Sequence, residues 1–313
     1  MTESPVLIEL RLDGQGGISP DGPLSWTHLQ VDHPNIRQYF AEHAPDLDDV
    51  ALDALLADET RPRAVIHQDS ALLFLRGVNL NANSAPEDMV SVRLFVDGNR
   101  IYSLRKRQLK GVLDLEARLL KGTGPTAPGD FIAELLGRLF ERMEPTLSRL
   151  DETTDAIEEA LLDGADASLR EAIVGVRKQA IVFRRYLAPQ RDAIATLRGA
   201  ELSWLDERNR RQLTERHQQM ARFVEDLDAI RERAQVVKDE LGNVLADKLN
   251  RNMYVLSVVA AVFLPLGFLT GLLGINVGGV PGVENPYAFE IFCAFSAALV
   301  ALQVWLFKRW KWF

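Results

Sequence analysis

The apolar positions of this chain fall into two regimes. Residues 253–276 (MYVLSVVAAVFLPLGFLTGLLGIN) are apolar almost throughout and carry no charge. A helix of ~20 residues rising ~1.5 Å per residue matches a hydrocarbon core of ~30 Å, so this stretch predicts a membrane-crossing helix. Residues 288–307 form a second run of spanning length, with Glu290 as its one charge. Everything before residue 253 mixes polar and apolar positions as a water-soluble body does.

Residues 1–125 read as a small α/β domain. VLIELRL (6–12) alternates over its second half like a half-buried strand. RAVIHQDSALLFL (63–75) holds two short β-prone runs split by the turn-like Gln68-Asp69-Ser70. VRLFV (92–96) and RIYSL (100–104) flank Asp97-Gly98-Asn99. That spacing predicts a hairpin, because Gly and Asn tolerate the positive φ such turns use. Helices are expected over 34–44 and 46–57, and GTGPTAPG (122–129) reads as a linker.

From residue 130 the period becomes helical, with Phe131, Leu135, Leu139 and Met143 on one face. Asp163-Gly164-Ala165-Asp166 interrupts it. A second helix covers 168–187, and Ala188-Pro189 marks a break. A third starts near 201–203 and meets no proline before Pro265. Continued to residue 276 it is ~110 Å long, too long to pack wholly inside one domain. The expected fold is thus an α/β domain (1–125), a helical bundle and stalk (126–252), and two C-terminal transmembrane helices with a short basic tail (253–313).

The long helix has two faces. Leu213, Met220, Leu227, Ala234 and Leu241 repeat by sevens, and Phe223, Ile230, Val237 and Val244 repeat with an offset of three, which is a packing seam. Another line carries Glu225, Asp228, Glu232, Gln235, Asp239, Asn243, Ala246 and Asn250. Two readings stand for it: a solvated surface, or a stripe facing a symmetry axis where cations pass. The same steps of three and four continue through Met253, Ser257, Ala260, Leu264, Gly267, Gly271 and Gly274. Small residues let helix backbones approach closely. Along a narrow path they also leave room for an ion and expose backbone carbonyls. Pro265 removes a backbone donor and leaves the Ala261 carbonyl without its usual partner, which makes a kink or a gate.

Charge changes this picture in two ways. The net charge of -8 speaks against a nucleic-acid partner. Its placement also orients the hairpin. Lys248 and Arg251 precede the first span, and Lys308, Arg309 and Lys311 follow the second, interleaved with the interface anchors Trp310 and Trp312. The connecting loop, 277–287, has no basic residue and one acid, Glu284. The positive-inside rule then places both termini and the soluble body in the cytoplasm. The first residues, MTESPVLIELRLDG, do not read as a signal peptide, and the single cysteine, Cys293, permits no intrachain disulfide. Two helices cannot enclose a water-filled path, so transport would require an oligomer. In a ring, Glu284 would attract cations; alone it is an ordinary solubilising loop acid.

With the large soluble body, the long helix, two terminal spans, the tripeptide Gly274-Ile275-Asn276 and the basic tail, the chain resembles the CorA-type metal-ion transporters. Isoleucine stands where the family carries methionine, Leu273 where many members carry an aromatic, and the loop reads VGGVPGVENP. Those departures resemble the ZntB branch, associated with zinc. The resemblance implies a homopentameric funnel in the bacterial inner membrane, its first transmembrane helices lining the pore. It implies that Asn276 rings the outer mouth and contacts a hydrated cation, with Gly274 shaping the turn. Met253, Leu256, Ala260, Leu264, Gly267 and Gly271 match the pore-facing register, and Asp239 falls near the family's metal-meeting acids. Gly267 stands where many magnesium-transporting members have a hydroxyl.

The function expected is divalent-cation transport, Zn²⁺ in first place and possible proton-coupled uptake on the branch resemblance. The ion would enter past Asn276 and Glu284 and leave past Asp239, Glu232 and Glu225. A path without Cys or His suits conduction, which needs sites weak enough to leave. It does not select zinc over magnesium or cobalt. A CorA-like Mg²⁺/Co²⁺ channel and a membrane-tethered sensor or scaffold are the alternatives. An enzyme is not expected: His28, His33, His43, His67 and His217 read as surface residues, and no acid, base and nucleophile converge. The cation is cargo and no resident cofactor is implied; the partners are other copies of the chain and membrane lipid.

Overall fold

The computed structural model describes residues 4–58, 60–164, 167–274, 282 and 284–309. The chain divides into two compact units, Met1–Asp239 and Glu240–Phe313. The first opens with strands β1 (Val6–Leu12) and β2 (Leu24–Gln30) and helices α1 (Ile36–His43) and α2 (Asp49–Leu56). Strands β3 (Arg63–His67), β4 (Ser70–Gly77), β5 (Val90–Val96) and β6 (Arg100–Arg105) follow, then α3 (Lys110–Leu120), α4 (Pro128–Asp163) and α5 (Ala167–Gly199). Helix α6 (Glu207–Gly274) begins in the first unit and ends in the second, which also holds α7 (Ala288–Arg309).

The six strands form one sheet in the order β1-β2-β6-β5-β4-β3. The β2–β6 pair is parallel and the others antiparallel. Both faces are covered, which is why ALLFL in β4 is apolar without alternation. Ala71, Leu73 and Leu75 face the α3–α4 side with Val92, Leu94 and Phe131; Leu72 and Phe74 face α1 and α2 with Phe40, Leu52 and Leu55. Buried Arg93 donates to the carbonyls of Leu55 (2.5 Å) and Asp58 (3.5 Å), using its charge at the C-terminal end of α2.

Several expectations change. The 97–99 hairpin forms, but neither Gly98 nor Asn99 has a positive φ. Instead the Asp97 carboxylate accepts from the backbone N–H groups of Asn99 (2.9 Å) and Arg100 (2.7 Å). Strand β2 and helix α3 were not anticipated. Pro189 does not end a helix: α5 runs through it. The neighbouring Gln190 is buried and bonds the backbone of Arg76 in both directions, accepting from its N–H (2.6 Å) and donating to its carbonyl (3.2 Å). That pairing with the β4 backbone holds the helix at the point where the proline costs it a bond. Helix α6 starts at Glu207, not 201–203, because Asp206 accepts from the Asn209 N–H (2.7 Å) and caps it. Ser203 and Trp204, just upstream, are bonded to Asp69 in the β3–β4 turn.

His28 is the other correction. It is fully buried on β2, not a surface residue. Its Nδ1 lies 2.8 Å from Ser103 Oγ, which also accepts from Trp26 Nε1 at 2.8 Å. Burial holds its pKa down to about 3, with the Arg105 charge adding to the effect.

In the bundle the heptad seam is buried from Leu213 to Leu241, while Val244 is half-buried. Leu213, Met220, Phe223, Leu227, Ile230, Ala234 and Val237 pack with Phe140, Met143 and Leu147 of α4 and with Ile173, Ala180 and Phe183 of α5. The polar side of α6 is tied down in part: Asp228 pairs with Arg184 of α5 at 2.6 Å. Arg233 meets Asp151 (2.9 Å), Glu158 (2.7 Å) and Asp155, all from α4.

Candidate functional site

The stalk residues singled out from the sequence are solvent-facing. Glu225, Glu232 and Asp239 are all exposed. Their spacing of seven puts successive acids ~10.5 Å apart along one helix, too far for one chain to bring two to the same ion. Each has local company. The Gln235 amide donates to both Asp239 oxygens (2.9 and 2.7 Å), Lys238 stands 3.9 Å from Asp239, and Arg231 stands 4.0 Å from Glu232. Asp226, beside Glu225, has its pKa raised by burial and by the charges of Asp151 and Glu225. Among the described residues no three His, Cys, Asp or Glu converge as a metal site.

In the second unit, α6 and α7 each hold a stretch long and apolar enough to cross a membrane. Large apolar side chains stand open on both: Met253, Leu256, Phe263, Leu264 and Phe268 of α6 and Phe289, Phe295 and Trp305 of α7 are all more than half exposed. Apolar surface on that scale calls for lipid or further protein. Within α6 the exposure is patterned. Tyr254, Val258, Ala261, Val262, Pro265, Leu266 and Leu269 are half-buried, and they fall at helical spacing on one face. On α7 the described half-buried set is Ala288, Phe292, Ser296, Leu299, Val300, Gln303 and Leu306. A bond from Gln303 Nε2 to the Ala261 carbonyl (3.2 Å) joins these faces.

All six residues expected to line a path, Met253, Leu256, Ala260, Leu264, Gly267 and Gly271, are exposed and so lie off the face turned to α7. A Cβ added at Gly267 or Gly271 would meet nothing within 4 Å. The Ser257 and Thr270 hydroxyls are spent on their own helix, Ser257 donating to Met253 O (2.8 Å) and Thr270 to Leu266 O (2.9 Å). Gly274 is the last described residue of α6, and the mouth residues Ile275 and Asn276 lie outside the described residues. Glu284 is exposed, beyond the positive-φ Gly282. Trp310, Trp312 and Lys311 are likewise outside the described residues; Lys308 and Arg309 close α7 as basic last-turn residues, and Arg309 stands 5.8 Å from the Trp305 ring.

Gln303 lies outside the register singled out from the sequence. Its signal was present: an amide in the interior of an otherwise apolar span, in the same hairpin as a helix-internal proline.

A profile of the family described as CorA-like Mg2+ transporter protein matches residues 21–309. The chain belongs to this family. It is 34% identical over 317 residues to the zinc transport protein ZntB of Yersinia enterocolitica, covering 99% of this chain and 96% of that protein. It is 38% identical over 289 residues to the divalent cation transporter CmaX of Pseudomonas aeruginosa, covering 92% and 87%. The solved structure of full-length CmaX superposes with a TM-score of 0.86 at 35% identity, over 99% of both chains. The tripeptide, the spans and the soluble body thus occur here in a member of the family that the sequence pointed to.

Proposed function

We propose that this chain is one subunit of a homopentameric divalent-cation transporter of the bacterial inner membrane, with Zn²⁺ as its cargo. The observation that carries the transport reading is the near full-length likeness to two proteins named for cation transport. Geometry supplies the need for copies. The Met253–Gly271 line is uncovered in one chain, and two helices enclose no path. In this reading the α/β domain (1–125), the bundle and stalk (126–252) and the hairpin (253–313) act in series. The soluble body and both termini stand in the cytoplasm, with the basic residues flanking the spans on that side.

Asn276 and Glu284 of several copies would ring the outer entrance and draw in a hydrated ion by charge and dipole. On the family resemblance Gly274 would shape the turn at the mouth, with Ile275 between it and Asn276 in the sequence. The ion then passes Gly271, Gly267, Leu264, Ala260, Leu256 and Met253, a path without strong ligands, and leaves past Asp239, Glu232 and Glu225. Acids ~10.5 Å apart on one helix become closely grouped sites only when each position is repeated around an axis.

The cargo is tested by initial fluxes of Zn²⁺, Mg²⁺ and Co²⁺ into proteoliposomes, with and without a pH gradient. Zinc flux that rises with the gradient is expected. Robust Mg²⁺ or Co²⁺ flux without Zn²⁺ flux favours the second reading, a CorA-like channel, to which the matched family's description points. Asn276→Ala should abolish flux while leaving the oligomer intact; an unchanged phenotype in cells together with a monomer in detergent would make the chain a tethered sensor or scaffold.

A further inference from the structure

An α-helical carbonyl accepts from the N–H four residues later, and residue 265 is proline, so the Ala261 carbonyl loses its usual partner in its own helix. In hydrocarbon no water is available to replace that donor. The donor comes from the other span: Gln303 Nε2 lies 3.2 Å from Ala261 O. The Gln303 Oε1 is buried and has no hydrogen-bond partner among the described residues, so the bond to Ala261 is the one that fixes the amide.

We propose that Gln303 is a positioning residue for transport, its side-chain amide standing in for the N–H that Pro265 lacks and thereby setting the course of the first span at its proline. The proposal rests on the transport reading above. Ala261 and Pro265 lie on the half-buried face of α6, and Ala260, Leu264 and Gly267 lie off it. Holding the Ala261 carbonyl toward α7 keeps it out of the path. It also fixes how far the helix opens at Pro265, because a proline-interrupted helix bends wherever its freed carbonyl finds a partner. Among the described residues the one hydrogen bond of Gln303 is to Ala261, which is not a candidate path residue. It acts through the backbone of α6.

The test is a double-mutant cycle on purified full-length protein in proteoliposomes, with Gln303→Leu, Pro265→Ala and the pair. Pro265→Ala returns an N–H to the Ala261 carbonyl. Gln303→Leu should lower the maximal divalent-cation flux roughly three- to twentyfold, the range of one hydrogen bond between membrane helices. The half-saturating concentration should stay unchanged, since the mouth is untouched. In the Pro265→Ala background the same change should do nothing. Wild-type flux in Gln303→Leu, or an equal loss in both backgrounds, overturns the proposal. If Pro265→Ala is itself inactive, the cycle is read on melting temperature. A Gln303→Leu shift present only beside proline, together with its flux loss, supports the assignment, and equal shifts overturn it. A wild type that moves no divalent cation sinks the transport reading instead, and the melting cycle still decides whether the bond exists.

Discussion

Lowering the pH should destabilise the first unit through His28 alone by a predictable amount. The unfolded histidine takes a proton as the pH falls through 6.5, whereas the folded one resists until about 3. Between those values the unfolded state binds more protons, so acid favours unfolding; the loss starts below 6.5 and saturates near 3. At pH ~4.5, two units below the unfolded value, the cost is about 2.7 kcal/mol at ~1.36 kcal/mol per unit. For a unit of this size that lowers the melting temperature by roughly 5–10 °C. The control is His28→Gln, which can still bond Ser103 and does not titrate. Every carboxylate is common to both proteins, so the difference between their pH profiles isolates the buried imidazole. Melts of the full chain in detergent, followed by circular dichroism at pH ~7.5 and ~4.5, supply the comparison. Wild type should lose more than the variant by the stated margin. Parallel decline of the two would mean that His28 is accessible or already charged, and the packing argument around β2 would fail.

Other substitutions probe the parts that place α6. Gly129→Ala would set a Cβ 2.2 Å from Asn209 Oδ1, the side chain that also donates to buried Asp130 at 2.9 Å; a loss of about 1–3 kcal/mol in denaturant melts is expected. Phe140→Ala, which empties a fully buried ring packed 5.9 Å from Phe223, should cost about 3–5 kcal/mol. Arg233→Met should cost under ~1 kcal/mol despite its three carboxylate partners, because the cluster is partly solvated, and the cost should shrink further as salt rises from about 50 to 500 mM.

Period and turn chemistry made most of the fold legible, and the failures have separate physical causes. The seam from Leu213 to Val237 was readable because a heptad line has one interpretation, burial. Strand β2 was not, because LSWTHLQ buries Thr27 and His28 alongside Leu24, Trp26 and Leu29, so no alternation survives. Helix α3 did carry its signal: Val112, Leu115 and Leu119 share a face and are buried. The short run was passed over beside the longer strand and linker patterns. Pro189 misled because local propensity was trusted where Gln190 binds the β4 backbone. In the candidate site, the Met253–Gly271 line was readable as a run of small and apolar residues; its exposure in a single chain is shared with Val255, Val259, Phe263 and Phe268. The Asp228–Arg184 pair was not readable, since nothing in one helix's sequence announces an arginine on its neighbour.

The line from Glu225 to Gly274 carries a further argument about assembly. Its members advance by about 3.5 residues per step, whereas a straight helix turns once in ~3.6, so the line slips by ~20° per heptad. Over seven heptads that is roughly 140°, and in a straight, solitary helix the acids at one end would point away from the small residues at the other. The two ends share a direction where the helix supercoils around packed neighbours, which in the bundle are α4 and α5 and along the spans would be other copies in the proposed oligomer. Continuity of the line in sequence is therefore a question of how the helix winds before it is a question of ions. Cysteines placed singly at Glu232 and at Ala260, in a Cys293→Ser background that removes the exposed native thiol, separate the cases. Copies wound about one axis cross-link at both positions under mild oxidation. Copies associated only through their spans cross-link at Ala260 alone, and that result would detach Glu225, Glu232 and Asp239 from any shared path.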